Sequence, residues 1–225
     1  MLSKCALAAI AMSGAVHRVQ QFTHFAVLDF EATCQEGKQR INPQEIIEFP
    51  VLLMEADTTQ VDLFHQYVRP MSHPTLTEFC TQLTGITQDL VDQANTIDAV
   101  YADFLAFVER NGLTTQNTAI VTCGDWDLLQ MWPRQAALSG LPTPPLFYQW
   151  INLKKTFATK ENVKVRGMME MLSECNLEHE GRHHSGIDDV KNIARCVGAL
   201  LQKGTTLELT FPPPPPPRSD GAGGV

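Results

Sequence analysis

No run of this sequence stays apolar for the roughly 18 residues that a membrane-spanning helix requires, so no helical span is expected. Positive charge is scarce too: 17 lysines and arginines face 25 aspartates and glutamates, for a net charge of −8. A chain of that sign is neither a basic wrapper of nucleic acid nor a polybasic membrane binder. It remains compatible with an acidic site that holds cations. The six cysteines, at 5, 34, 80, 123, 175 and 196, form no CxxC pair and no dense framework. They read as reduced thiols, which places the protein inside the cell, in cytoplasm or nucleus. No internal repeat is present, and no acidic residue occurs before Asp29. The stretch "CALAAIAMSGAV" (5–16), with Lys4, His17 and Arg18 around it, leaves two readings open: a weak targeting peptide, or a poorly ordered N-terminus.

What is present suits one large α/β domain. The chain has 225 residues, 44% of them hydrophobic, enough for a sizeable core. Apolar runs predict strands at 24–30, 45–55, 61–70, 118–124 and 148–153, with a hairpin between the second and third. Helical spacing predicts helices at 75–86, 96–110, 127–138, 167–176 and 185–203. Pro133 must bend or break the third of these. Interleaved strands and helices over residues 22–204 imply an α/β fold. Residues 1–21 are set apart as an N-terminal segment. Residues 205–225 are set apart as a disordered Pro/Gly-rich tail whose six consecutive prolines favour polyproline II.

The acidic residues are unevenly placed. "VLDFEAT" (27–33) puts Asp29 and Glu31 on one side of a strand at the end of an apolar run. "CGDWDLL" offers Asp125 and Asp127 just after the fourth strand, and "HHSGIDDV" offers Asp188 and Asp189 at the start of the last helix. Like charges held this close need a positive partner. An all-oxygen cage of this kind suits Mg²⁺ or Mn²⁺ rather than zinc. Two such ions about 4 Å apart stabilise both the attacking and the leaving oxygen of a phosphodiester.

Helical steps from Asp189 reach Ile193, Cys196, Val197 and Leu200, a buried stripe, so Asp189 points inward. Steps from Asp188 reach Lys191, Asn192, Arg195 and Gln202, the wet side. Asp125 is a natural N-cap, which favours Asp127 as the inward member of its pair, though periodicity alone leaves that choice open. A zinc site at His179, His183 and His184 has no nearby cysteine and, in "HEGRHH", no good helical i, i+4 pair.

Five motifs in order, "LDFEAT", "LTGI", "GDWDL", "QWINLKK" and "GRHHSGIDDVKNIA", resemble the DEDDh 3′-to-5′ exonucleases. Among these they are most similar to the Eri-type exoribonucleases, in the prion-protein-interactor branch. The resemblance spans about residues 22–204. It implies a ribonuclease H-like domain: a mixed five-stranded sheet, second strand antiparallel, with helices on both faces. It implies Asp29, Glu31, Asp127 and Asp189 as ligands for two Mg²⁺ ions, with Mn²⁺ able to substitute. The family's histidine stands five residues before the last aspartate, which selects His184. Glu31 and His184 are then the catalytic pair, with His184 as general base.

By the same resemblance the backbone at Ala32 meets the terminal sugar, and Phe79 and Trp126 are aromatic candidates for the terminal base. Glu31 and His184 complete the substrate contacts. The implied partner is an RNA 3′ end, single-stranded or with a short overhang, shortened by one 5′-nucleoside monophosphate at a time. The proline run is a candidate ligand for a protein partner of SH3 or WW type. Two other readings remain: a DNA exonuclease, and a scaffold that keeps the fold and works through partners.

Overall fold

A computed structural model of the protein describes residues 19–37 and 41–211. The apolar N-terminal stretch and the proline run lie outside the described residues. The strands are β1 (His24–Leu28), β2 (Glu31–Ala32), β3 (Ile46–Glu55), β4 (Gln60–Tyr67), β5 (Thr118–Thr122) and β6 (Trp150–Asn152). The helices are α1 (Glu78–Thr84), α2 (Gln88–Asp92), α3 (Ile97–Arg110), α4 (Trp132–Ser139), α5 (Leu153–Thr156), α6 (Met168–Glu174) and α7 (Gly186–Gln202). Among the described residues no helix is long and apolar enough to cross a membrane.

Five strands lie in the order β4-β3-β1-β5-β6. The two-residue β2 adds to β3 beyond the end of β1. β1 runs antiparallel to β3, with Leu28 opposite Val51, and parallel to β5, with Val27 opposite Val121. A parallel neighbour needs a long crossover, and α1 to α3 supply it between β4 and β5. This is the mixed ribonuclease H-like sheet expected, with one extra short strand.

Strand period sorts the core into two layers. Ala26, Leu28, Phe49, Val51 and Leu53 face an aromatic layer with Phe104, Phe107, Trp132 and Phe147. Phe25, Val27, Leu52 and Met54 face an aliphatic layer with Met171, Val190, Ile193, Val197 and Leu200 from α6 and α7. The stripe predicted on α7 is therefore the buried one. Asn192, placed on the wet side by period, is buried instead. Its amide donates to the carbonyls of Glu180 and Asp188, so the loop before α7 covers it.

Pro133 does not break its helix. The residues before it, Asp127–Met131, form one π turn, and the Trp132 amide donates to the Asp127 carbonyl. A wider turn relieves the clash that a proline ring makes with the preceding helical carbonyls.

The expected tail boundary at 205 is a correction. Leu207 is fully buried in the aliphatic layer, and its amide donates to Gln20 Oε1 at 3.0 Å. Phe211 bridges Trp150 on the β6 edge and stacks on its ring at 4.0 Å. Alternating Leu207, Leu209 and Phe211 give "LELTF" enough apolar surface to stay with the domain.

Candidate active site

β1 and β5 end side by side, and the acidic motifs follow from those ends. Asp29 and Glu31 continue the parity of Phe25 and Val27, so both face α7. The Phe30 ring between them turns the other way, edge-on to Phe49 at 4.7 Å. The Phe30 amide donates to Asp127 Oδ1 at 2.9 Å, which ties the end of β1 to the start of the π turn. Asp127 is 4% exposed, the inward member of its pair. Asp125 does not cap the helix with its side chain. It accepts from Trp150 Nε1 at 2.9 Å and from Lys155 Nζ at 2.8 Å, because the "WINLKK" segment offers those stronger donors.

α7 brings the last acid. Asp189 is buried and its Oδ2 accepts from the His184 amide at 3.0 Å. That bond holds His184 at φ 66°, a left-handed backbone rare outside glycine, asparagine, aspartate and histidine. Asp188 turns outward and accepts from the Arg182 amide at 2.9 Å. A Cβ on Gly181 would lie 2.5 Å from the Asp188 carboxyl, so only glycine fits this turn. The His183 ring stacks on His184 at 4.0 Å.

The electrostatics are lopsided. Among the described residues no lysine or arginine pairs with Asp29, Glu31, Asp127 or Asp189. Burial, then the charges of Asp127, Glu31, Asp189 and Glu48, hold the Asp29 carboxyl well above the usual aspartate range. Burial, then Glu48, Asp189 and Asp127, push Glu31 up to about 9. Burial takes Asp189 up to about 7, against the pull of the His184 amide. Asp127 rises to about 6, its burial opposed by the Phe30 amide, its own amide and Lys154. His184 is lowered by burial.

These residues fit a divalent cation. Oxygens of Asp29, Glu31 and Asp189 lie within 4.8 Å of one another. Asp189 Oδ1 is buried without a hydrogen-bond partner, an expensive state for a carboxylate. The donors are all carboxylate oxygens, suited to a hard ion.

The sequence profile of the exonuclease family matches residues 26–197. The chain belongs to the exonuclease family. Within it the type is DEDDh, whose fold implies divalent-metal use. ERI1 exoribonuclease 3 of Homo sapiens is 44% identical over 198 residues, covering 86% of this chain and 58% of that protein. 3′-5′ exoribonuclease 1 of Homo sapiens is 38% identical over 195 residues, covering 84% of this chain and 55% of that one. The chain thus spans a little over half the length of the curated relatives it matches. The nuclease domain of 3′hExo, a DEDDh family member bound to rAMP, superposes with a TM-score of 0.80 at 38% identity, covering 84% of this chain and 96% of that one. The 3′-exonuclease that recognises the histone mRNA stem-loop gives 0.81 at 36% identity, covering 85% and 87%.

The other residues expected at the site sit on β2, on α1 and just before the π turn. Ala32 is buried in β2, its carbonyl 3.8 Å from Cys80 Sγ on α1. Phe79, on the same helix, is half-buried and so keeps an open face. Trp126 is half-buried and leans on the aromatic layer. Two groups escaped the sequence reading. Lys154, on α5, is close enough to Asp127 to lower its pKa. Glu48, on β3, stands directly opposite Glu31 in the strand register. A charged residue inside the apolar run "IIEFPV" was the available signal for it.

Proposed function

We propose that this chain is a metal-dependent 3′-to-5′ exoribonuclease that removes 5′-nucleoside monophosphates from RNA 3′ ends. The observation that carries this reading is the convergence of Asp29, Glu31 and Asp189, with His184 anchored to Asp189 beside them. Asp29, Glu31, Asp127 and Asp189 would hold two Mg²⁺ ions, with Mn²⁺ as a substitute. Bound there, the cations supply charge neutralisation for the scissile phosphate and lower the pKa of the attacking water.

His184 takes the proton from that water. Its lowered pKa keeps the ring neutral near pH 7, so it is ready to accept. The loop carrying it is fixed on both sides, by Asp189 at His184 and by Asp188 at Arg182. Glu31 works at the reacting phosphate as well as in the carboxylate set. The backbone at Ala32 and the rings of Phe79 and Trp126 hold the terminal nucleotide. Stacking of this kind accepts any base. Ribose is favoured over deoxyribose by the relatives: one neighbour holds rAMP, and another recognises histone mRNA.

The proline run is proposed as a ligand for a protein partner, and the five free cysteines among the described residues support an intracellular location. The test is release of mononucleotides from a 3′-labelled single-stranded RNA in Mg²⁺, with DNA of the same sequence beside it and Asp29→Asn as control. RNA shortened from its 3′ end only by the unsubstituted protein is the expected result. Equal turnover by Asp29→Asn, or none by either, overturns the reading.

A further inference from the structure

Glu48 is 1% exposed, in a strand whose other residues are apolar up to Glu55. A carboxylate buried that deeply needs several donors. It has three. His65 Nε2 donates to Oε1 at 2.7 Å, the Ile187 amide to Oε1 at 3.1 Å and the Gly186 amide to Oε2 at 2.9 Å. Gly186 and Ile187 open α7, where helical amides have no partner within the helix and the dipole is positive. One side chain from β3 therefore takes the free amides of the helix that delivers Asp189.

The approach is tight: a side chain here would make its neighbours give by a few tenths of an ångström. A Cβ on Gly186 would lie 3.0 Å from Glu48 Oε2, 3.1 Å from the Asp29 carbonyl and 3.1 Å from Pro50 Cγ. So the helix start rests on Glu48 and on the backbone of Asp29 itself. Three residues further on stands Asp189, and two residues before stands His184, bonded to Asp189 through its amide. Any shift of this start moves both groups relative to Asp29 and Glu31.

We propose that Glu48 is a positioning residue: it fixes the start of α7, and through it His184 and Asp189, over Asp29 and Glu31. The proposal rests on the exonuclease reading above and adds a named residue to it. Glu48 neither touches RNA nor moves a proton, since both its oxygens are occupied by donors. A residue of purely structural value would lower the melting temperature of the folded enzyme and leave its chemistry alone. A positioning residue lowers the rate of the chemical step and spares RNA binding, because Ala32, Phe79 and Trp126 lie on other elements.

The experiment compares Glu48→Ala, Glu48→Gln and Gly186→Ala with the unsubstituted full chain in single-turnover assays at saturating Mg²⁺. Glu48→Ala and Gly186→Ala should lower the maximal rate about 10–100-fold, the usual cost of losing an outer partner of a ligand residue, with KM for RNA little changed. Glu48→Gln keeps the shape and one acceptor, and should lose less. Hydrogen–deuterium exchange needs no activity: amides of residues 182–190 should exchange faster in Glu48→Ala, with β1 and β5 unchanged. Folded Glu48→Gln and Gly186→Ala proteins with maximal rates within about twofold of the parent overturn the proposal even if Glu48→Ala fails to fold. A parent that releases no nucleotide sinks the exonuclease reading instead, and the exchange data then decide the positioning role alone.

Discussion

Two acidic corners face each other across the ends of β1 and β5. At Asp125, burial would push the carboxyl up, yet the hydrogen bonds from Lys155, Trp150 and Asn152 outweigh it and hold the group below its ordinary value. At Asp29 and Glu31 burial acts in the same direction, and the neighbouring negative charges push the same way instead of opposing it. Lys155 contacts the first corner, and among the described residues no lysine contacts the second. A carboxylate supplied with an ammonium and an indole is a bracket. A group of carboxylates with no ammonium in contact is built to take a cation from solution.

The largest effect should come from the two aspartates that straddle this divide. Asp127→Asn keeps an acceptor for the Phe30 amide but removes an anionic ligand, so turnover should fall to the level of the metal-free protein. Asp125→Asn should leave turnover nearly intact and cost about 1 kcal/mol of stability through the lost partner of Lys155. Kinetics and thermal melts on both proteins check this, and the reverse ranking would erase the distinction between the corners.

Next in size is the histidine pair. His184→Ala should slow single turnover by roughly 10²–10⁴-fold, the span of a positioned acid–base group, with metal and RNA binding retained. The acidic limb of the parent's pH–rate profile should lie below about 6.5, since burial lowers His184, and should vanish in the mutant. His183→Ala should lose only the ring stacked on its neighbour and stay close to parent. Equal losses in both mutants would remove the base from this mechanism.

The smallest effect sharpens the comparison by pH. For a carboxyl whose folded pKa is raised, the stability it permits is complete below the unfolded value near 4 and is lost as pH rises through the folded value. The window here runs from about 4 in the unfolded chain up to about 7 for Asp189 and about 9 for Glu31. In EDTA the melting temperature should therefore decline across that range. In millimolar Mg²⁺ it should decline much less, because a ligand that binds only the folded state offsets the repulsion. Parallel curves in the two buffers would show that the cluster does not hold the ion.

Long, strongly periodic elements were legible in the sequence, and so were the residues they aim. Asp189 followed from the stripe Ile193, Cys196, Val197 and Leu200, and α3 from Val100, Phe104 and Phe107, all buried as expected. Short elements were not: β2, α2 and α5 span 2, 5 and 4 residues, less than two turns or pleats of pattern. Pro133 announced a break, and the sequence could not show that one π turn would absorb it. Glu48 showed only as a charge inside an apolar run, and its role did not, because the amides that justify it lie 138 residues away along the chain. Residues 205–211 were masked by the proline run that follows them, although their own alternation was in plain view.

That separation of 138 residues carries a consequence for synthesis. Asp29 and Glu31 emerge early, and β1 to β6 are complete once Asn152 has been made. His184 and Asp189 follow only after that. Closing so long a loop is slow and depends on the sheet being already in place. A chain that stops before His184 lacks Val190, Ile193, Val197 and Leu200, hence one wall of the aliphatic layer, as well as Asp189. Completion of the carboxylate cluster thus reports the arrival of α7.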